Sequence, residues 1–180
     1  GRTNLMTVQL ETVKKPVSQK QRQIPKTKLD FVDQAINELS SAGVIRKASS
    51  WESASNLILV PKYKNLRYST HADTLRTDPS QIRAYRICVD LRDLNQVLAV
   101  KCSSLSKPPE KIIMPLANRL VTNLDVTQAY FSIPLHEDSQ TLTSFFVDNN
   151  VWCFRRLSQG LLISPRAFEF LDELVYDDAI

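Results

Sequence analysis

The 180-residue sequence has few glycines, few cysteines and no long apolar segment. Three glycines against nine prolines exclude collagen-like and glycine-rich low-complexity chains. Cys88, Cys102 and Cys153 are odd in number and widely spaced, which predicts neither a disulfide framework nor a Cys-x-x-Cys metal site and favours a reducing compartment. The longest apolar runs, such as 57–60, are too short to span a bilayer, and residues 1–4 do not lead into a signal peptide. We therefore expect a soluble intracellular protein, cytoplasmic or nuclear, with no membrane partner.

The chain has enough apolar residues to bury a core, since they make up 43% of the sequence. We expect one domain, or one domain and a piece of another. The net charge of +4 is unevenly distributed, with +6 in residues 1–28, −3 in 29–45, +7 in 46–119 and −6 in 120–180. The first two thirds of the chain are basic and the last third is acidic. This distribution suits a protein that binds a polyanion through one part and cations through another. Solvated charged faces explain the same pattern equally well.

Hydrophobic periodicity predicts an α+β fold in which helices flank an antiparallel sheet. A helix over 28–42 begins with a capping box at Thr27 and stops at Gly43, and a final helix begins with Ser164 as N-cap and Pro165 at its first turn. Residues 1–24 form a basic arm, extended or mobile, and 63–83 a long surface loop. Strands are predicted at 44–45, 56–61, 85–90 and 120–126, and a hairpin within 143–157.

Asp125 is the first candidate for chemistry, because it stands at the end of the apolar strand Leu124-Asp125-Val126. A carboxylate where a buried strand emerges can hold Mg²⁺, which prefers hard oxygen ligands. A strand-end cap is the alternative, and for Asp125 taken alone it is the commoner one.

Four segments in a consistent order nevertheless resemble retroviral and gypsy-like LTR-retrotransposon reverse transcriptases. The segment from Leu124 to Leu135 is similar to the motif that carries the family's first catalytic aspartate. The helix with the strand that ends at Pro61 resembles the fingers, and the resemblance extends over about residues 25–175. Two further matches are Tyr85 to Asn95, similar to R-x-C/L-V-D-x-R-x-L-N, and Leu157 to Phe168, similar to L-P-Q-G-x-x-x-S-P-x-x-F. The implied fold is the fingers subdomain over 25–118 and a partial palm over 119–180.

The resemblance implies a role for each matched residue. Asp125, with the Val126 carbonyl, corresponds to the ligands of the two Mg²⁺ ions that activate the primer 3′-hydroxyl. Tyr130, next to Ala129, corresponds to the steric gate that favours deoxynucleotides; the alternative is a core aromatic residue beside Phe131. The remaining roles are triphosphate binding by Lys62 and Arg86, nucleotide-sugar binding by Gln159 and Gly160, and template-strand support by Arg92, Asp90 and Trp51.

Alternatives stay open for several of these residues. Lys62 and Arg86 could be solvated strand-edge charges, and the long loop puts the register of Lys62 in doubt. Asp90 and Arg92 are better explained as a structural ion pair. Trp51 could stack on template or pack within the fingers. Ser158 stands where the family often has proline.

The second pair of catalytic acids is missing from its usual position. The family places a Tyr-x-Asp-Asp turn about twenty residues after the residue matched by Phe168, and Val175-Tyr176-Asp177-Asp178 lies too close and continues a helical pattern. We read Asp177 and Asp178 as helix-surface acids. One carboxylate cannot hold two Mg²⁺ ions, so the chain alone is not expected to polymerise DNA.

Two functions follow. The first is the N-terminal part of a retroelement RNA-directed DNA polymerase, which binds an RNA/DNA template-primer and a dNTP and becomes active, with Mg²⁺, when joined to the rest of the polyprotein or to other protein subunits. The alternative is a catalytically inactive, truncated or co-opted reverse-transcriptase-like module that binds nucleic acid or a protein.

Overall fold

A computed structural model describes residues 2–61, 85–99 and 125–176 of the chain. The predictions for Lys62, the 63–83 loop, the strand before Asp125, and Asp177 and Asp178 lie outside these residues. Four helices are described, α1 (Leu29–Ser41), α2 (Arg92–Asn95), α3 (Glu137–Gln140) and α4 (Ser164–Tyr176). The strands are β1 (Ile45–Lys47), β2 (Ser55–Pro61), β3 (Tyr85–Val89), β4 (Phe145–Val147) and β5 (Asn150–Phe154).

The described strands form one mixed sheet in the order β1-β5-β4-β2-β3. The pairs β1–β5, β5–β4 and β2–β3 are antiparallel, whereas β2 and β4 run parallel, with Ser55 opposite Phe145. The prediction of an α+β fold with flanking helices is confirmed. The parallel pair was not predicted, because the two strands are far apart in sequence and periodicity does not reveal which strands pair.

Helix α1 does not begin with the predicted capping box, but it ends where the sequence predicts. Its apolar positions fall on one face, and Val32 and Ile36 are buried. Thr27 does not cap it; the helix has no side-chain cap and follows a 3-10 turn at Lys26–Lys28, in which the Lys28 N–H donates to the Pro25 carbonyl. The predicted stop at Gly43 is confirmed, with a left-handed φ of +65° that favours glycine.

The core lies between the sheet and the elements packed on it. Phe145, Ile133 and Leu157 are almost completely buried, and the Phe145 and Phe154 rings lie 5.2 Å apart between centroids. The Leu157 N–H donates to the Ile133 carbonyl (2.9 Å), and the Leu135 N–H donates to the Arg155 carbonyl (2.9 Å). These bonds hold the segment that follows Asp125 against the end of β5.

The segment before residue 25 is extended and lies along the domain. Val8 and Leu10 are buried, and the Val8 N–H donates to the Pro134 carbonyl (3.0 Å). Further along, the Val13 N–H donates to the Val97 carbonyl (2.8 Å). The sequence left the partner of this arm open, and in the structure the described part of the arm contacts other segments of the same chain, around residues 97 and 134.

No described helix is long and apolar enough to cross a membrane. Cys88 and Cys153 are free thiols, and burial raises the pKa of the Cys153 thiol.

Candidate active site

The matched segments meet at one end of the sheet, around the turn at Gln159 and Gly160. Gly160 has a φ of +89°, a left-handed conformation that glycine adopts without strain. A Cβ built on Gly160 would lie 3.8 Å from the Val89 carbonyl oxygen, so this turn lies beside the end of β3. Both Gln159 and Gly160 are exposed, as a surface that contacts a nucleotide would require.

Asn95 fixes this turn, and sequence reasoning assigned it no role. Its side-chain amide donates to the Gly160 carbonyl (2.8 Å), and its side-chain oxygen accepts from the Leu162 N–H (2.9 Å). Asn95 ends α2, so the helix that follows β3 is connected directly to the glycine turn. The only sequence signal for Asn95 is its place as the last residue of the Tyr85 to Asn95 match.

Tyr130 lies in a 3-10 turn at Ala129–Ser132, which follows a left-handed residue, Gln128, with a φ of +54°. Its ring meets the Phe168 ring of α4 edge to face, with centroids 6.1 Å apart. Both Ala129 and Tyr130 are only partly buried. Tyr130 is therefore neither a fully buried core residue nor a free surface residue, and part of the ring stays accessible.

Asp90 and Arg92 form a bidentate ion pair. The Arg92 Nε and Nη2 atoms donate to the two carboxylate oxygens of Asp90 at 2.7 and 2.6 Å, while the Asp90 side chain is 4% exposed and that of Arg92 78% exposed. The hydrogen bond from Arg92 outweighs burial and lowers the pKa of the Asp90 carboxyl. The structural ion pair expected from the sequence is confirmed.

An open cleft of about 610 Å³ lies beside this pair. The arm contributes Lys20 and Arg22 to its lining, and Arg92 brings a third cation. The Nη1 atom of Arg92 has no partner among the described residues, so it is available to a ligand in the cleft. The other lining residues are Gln19, Gln21, Asn56, Asp90 and Asp93.

The other predicted site residues are exposed and stand apart from these contacts. Asp125 and Val126 are exposed, and Asp125 makes no hydrogen bond or ion pair with another described residue. Arg86 is exposed on β3, opposite Val60. Trp51 retains 48% of its surface exposed.

A magnesium site is not complete within the described residues. They contain no group of three or more His, Cys, Asp or Glu side chains placed to hold a metal ion. Asp125 and the Val126 carbonyl are the ligands that the resemblance implies, and one carboxylate does not satisfy two divalent ions. The described residues alone therefore do not form a two-metal site and supply at most part of one.

Sequence comparison identifies relatives of this chain among known proteins. The family model described as reverse transcriptase (RNA-dependent DNA polymerase) matches residues 74–176. The Gag-Pol polyprotein of walleye dermal sarcoma virus is 34% identical over 86 residues, which are 47% of this chain and 5% of that protein. The Pol polyprotein of transposon 412 from Drosophila melanogaster is 25% identical over 154 residues, 86% of this chain and 11% of that protein.

Solved structures show the same fold. The prototype foamy virus protease-reverse transcriptase (CSH mutant) superimposes with a TM-score of 0.73 at 19% identity, over 99% of this chain and 22% of that one. The foamy viral enzyme in complex with RNA/DNA hybrid gives a TM-score of 0.71 at 19% identity, again over 99% of this chain and 22% of that one. The chain thus spans a small part of the proteins it matches. Since the family model matches more than half of its residues, the chain belongs to the reverse transcriptase family, of the kind found in retroviruses and LTR retrotransposons.

Proposed function

We propose that the chain is the fingers and first palm segment of an RNA-directed DNA polymerase, in which it binds the template-primer and the incoming dNTP. One observation carries the proposal. The three matched segments, far apart in sequence, are joined by specific contacts, from Asn95 to the Gly160 turn and from Tyr130 to Phe168. The exposed glycine turn held by Asn95 would let a nucleotide approach the backbone closely.

The cleft at Arg92 supports binding of a template strand. Asp90 fixes two nitrogens of the Arg92 guanidinium and leaves the group largely exposed, which suits it to hold a phosphate in a defined position. Lys20 and Arg22 supply further positive charge along the same cleft. Three of the related structures contain double-stranded DNA or an RNA/DNA hybrid, and a similar duplex is the ligand proposed for this chain.

The other roles follow the same proposal. Tyr130, beside Ala129, excludes a ribose 2′-hydroxyl, and Gln159 and Gly160 contact the sugar of the dNTP. Arg86 and Lys62 bind the triphosphate, and Trp51 stacks on the template. Reverse transcriptases use divalent metals, and Asp125 with the Val126 carbonyl would provide part of such a site once the remaining acids are supplied.

The test joins this chain to the downstream polymerase segment of the transposon 412 Pol polyprotein and measures Mg²⁺-dependent extension of a DNA primer on an RNA template. Asp125→Asn is expected to abolish extension and to leave primer-template affinity unchanged, since it removes a metal ligand outside the basic cleft. Arg92→Gln is expected to weaken binding about tenfold, as loss of a charge-assisted phosphate contact does.

Fluorescence anisotropy of the 180-residue chain with a labelled RNA/DNA duplex separates the two functions considered. Salt-dependent binding without extension by the joined protein would favour the non-catalytic module. If Asp125→Asn leaves primer extension unchanged and Arg92→Gln leaves duplex binding unchanged, the residue assignments are wrong.

A further inference from the structure

A second charged pocket lies at the end of α1, away from the cleft described above. Its volume is about 170 Å³, and none of its described lining residues also lines the cleft at Arg92. The lining residues are Arg2, Gly43, Leu135, Glu137, Gln140, Arg155 and Arg156. Among these described residues, three arginines against one carboxylate give the lining an excess of positive charge.

The arginines lie on two segments, Arg2 on the arm and Arg155 and Arg156 just after β5, and hydrogen bonds hold both segments in place. The arm is fixed next to Arg2, where the Thr3 N–H donates to the Ser132 carbonyl (2.8 Å). The Arg155 N–H donates to the Val44 carbonyl (2.8 Å). The Arg156 guanidinium donates to the Phe131 carbonyl and to the Ala42 carbonyl, both at 3.1 Å.

Gly43 keeps the space between two of these guanidinium groups open. A Cβ built on Gly43 would lie 3.7 Å from Nη2 of Arg156 and 3.9 Å from Nη1 of Arg155. These two nitrogens therefore converge on one point above the glycine. The left-handed φ of Gly43 disfavours any other residue, so the space stays free of a side chain.

Capping of α1 explains only part of this arrangement. The bond to the Ala42 carbonyl accounts for Arg156, because a cation stabilises the C-terminal end of a helix. It does not account for Arg2 and Arg155, whose side chains form no ion pair with the described residues. Burial, followed by the charges of Arg2 and Arg155, lowers the pKa of the Arg156 guanidinium. Like charges placed together in this way repel each other unless an anion lies between them.

We propose that this pocket binds a phosphate group through Arg2, Arg155 and Arg156. A tetrahedral dianion can accept hydrogen bonds from guanidinium groups that approach from several sides. A volume of about 170 Å³ is ample for one such group, since a water molecule takes about 30 Å³. The phosphate belongs either to a nucleic-acid backbone or to a free phosphate compound, and the inference does not depend on the proposed polymerase function.

The test is a titration of the 180-residue chain with inorganic phosphate at constant ionic strength. The affinity is measured from the NMR signals of the arginine side-chain N–H groups. Arg155→Gln is expected to weaken phosphate binding about tenfold, because it removes a charge-assisted hydrogen bond. Glu137→Gln is expected to strengthen binding, because it removes the only carboxylate among the described lining residues without changing the shape of the pocket. Arg166→Gln, which removes an arginine from the α4 surface, is the matched control and should leave the affinity unchanged.

The source of the phosphate is found by repeating the series with duplex DNA and measuring affinity against salt concentration. If the ligand is a nucleic-acid backbone, Arg155→Gln lowers the slope of log affinity against log salt by about one, and Arg166→Gln does not. If the ligand is a free phosphate compound, only the titration with inorganic phosphate responds to Arg155→Gln. The proposal is overturned if Arg155→Gln alters neither measurement, or if Glu137→Gln weakens phosphate binding.

Discussion

Ser158 carries a buried hydroxyl that has no hydrogen-bond partner among the described residues, although it is only 1% exposed. Its backbone carbonyl accepts from the Ser164 hydroxyl (2.8 Å). Ser164 therefore does not cap α4 in the predicted way. It is the first residue of the helix and its side chain holds the segment that leads to the Gly160 turn. The two buried serines are therefore expected to have opposite effects on stability.

We expect Ser158→Ala to raise the free energy of unfolding by about 1 kcal/mol, because it removes an unpaired buried hydroxyl. Ser164→Ala should lower the free energy of unfolding by about 1 kcal/mol or more, because it removes a buried hydrogen bond and leaves the Ser158 carbonyl without that donor. Urea unfolding of both variants beside the wild type measures these changes. A loss of stability in Ser158→Ala would show that its hydroxyl has a partner.

Among the elements, the arm is the one whose place depends most on side-chain hydrogen bonds. The Gln19 amide oxygen accepts from the Asn56 backbone N–H (2.8 Å) and from the Asn56 side chain (3.1 Å). The Gln19 amide nitrogen donates to the Asp90 carbonyl (3.2 Å) and to the Asp93 carboxylate (2.9 Å). One glutamine therefore connects the arm to the start of β2 and to the segment around α2.

Gln19→Ala is expected to lower the free energy of unfolding by about 1–3 kcal/mol, because the Asn56 N–H, in a residue only 3% exposed, loses its acceptor. Gln23→Ala, at an exposed glutamine on the same arm, is the matched control. The rate of limited trypsin digestion at Lys20 and Arg22 measures release of the arm, and urea unfolding measures global stability. Equal behaviour of the two variants would show that Gln19 does not fix the arm.

The elements show what a sequence can predict and what it cannot. The period of the apolar residues identified α1, and the glycine with its left-handed φ was correctly predicted to end it. The contacts of the arm were not predicted, because its backbone bonds and the side-chain bonds of Gln19 join it to distant segments and carry no periodic signal. The parallel pairing of β2 with β4 and the connection from Asn95 to Gly160 depend on distant segments, which local pattern does not encode.

For the whole molecule, the response to acid should depend chiefly on Asp90. It is the one acidic residue among the buried polar residues of the described chain. Its environment joins several parts of the fold, because its N–H donates to the Asn56 carbonyl (2.9 Å) and its carbonyl accepts from Gln19. Its carboxylate pairs with Arg92, so its charge state is coupled to the region of the proposed template contact.

The lowered pKa of Asp90 fixes the sign of the pH dependence. In the unfolded chain Asp90 titrates near its ordinary value of 3.8, and in the folded chain it titrates below that value. Its contribution to stability is therefore complete above about pH 5, decreases below the unfolded-state pKa and is lost as the pH falls through the folded-state pKa. We expect Asp90→Asn to lower the urea midpoint at pH 7, and the difference from wild type to shrink as the pH is lowered below 3.8. Asp33→Asn, at an exposed position of α1, provides the control. A difference for Asp90→Asn that is the same at pH 7 and pH 2.5 would mean that the ion pair with Arg92 does not stabilise the fold.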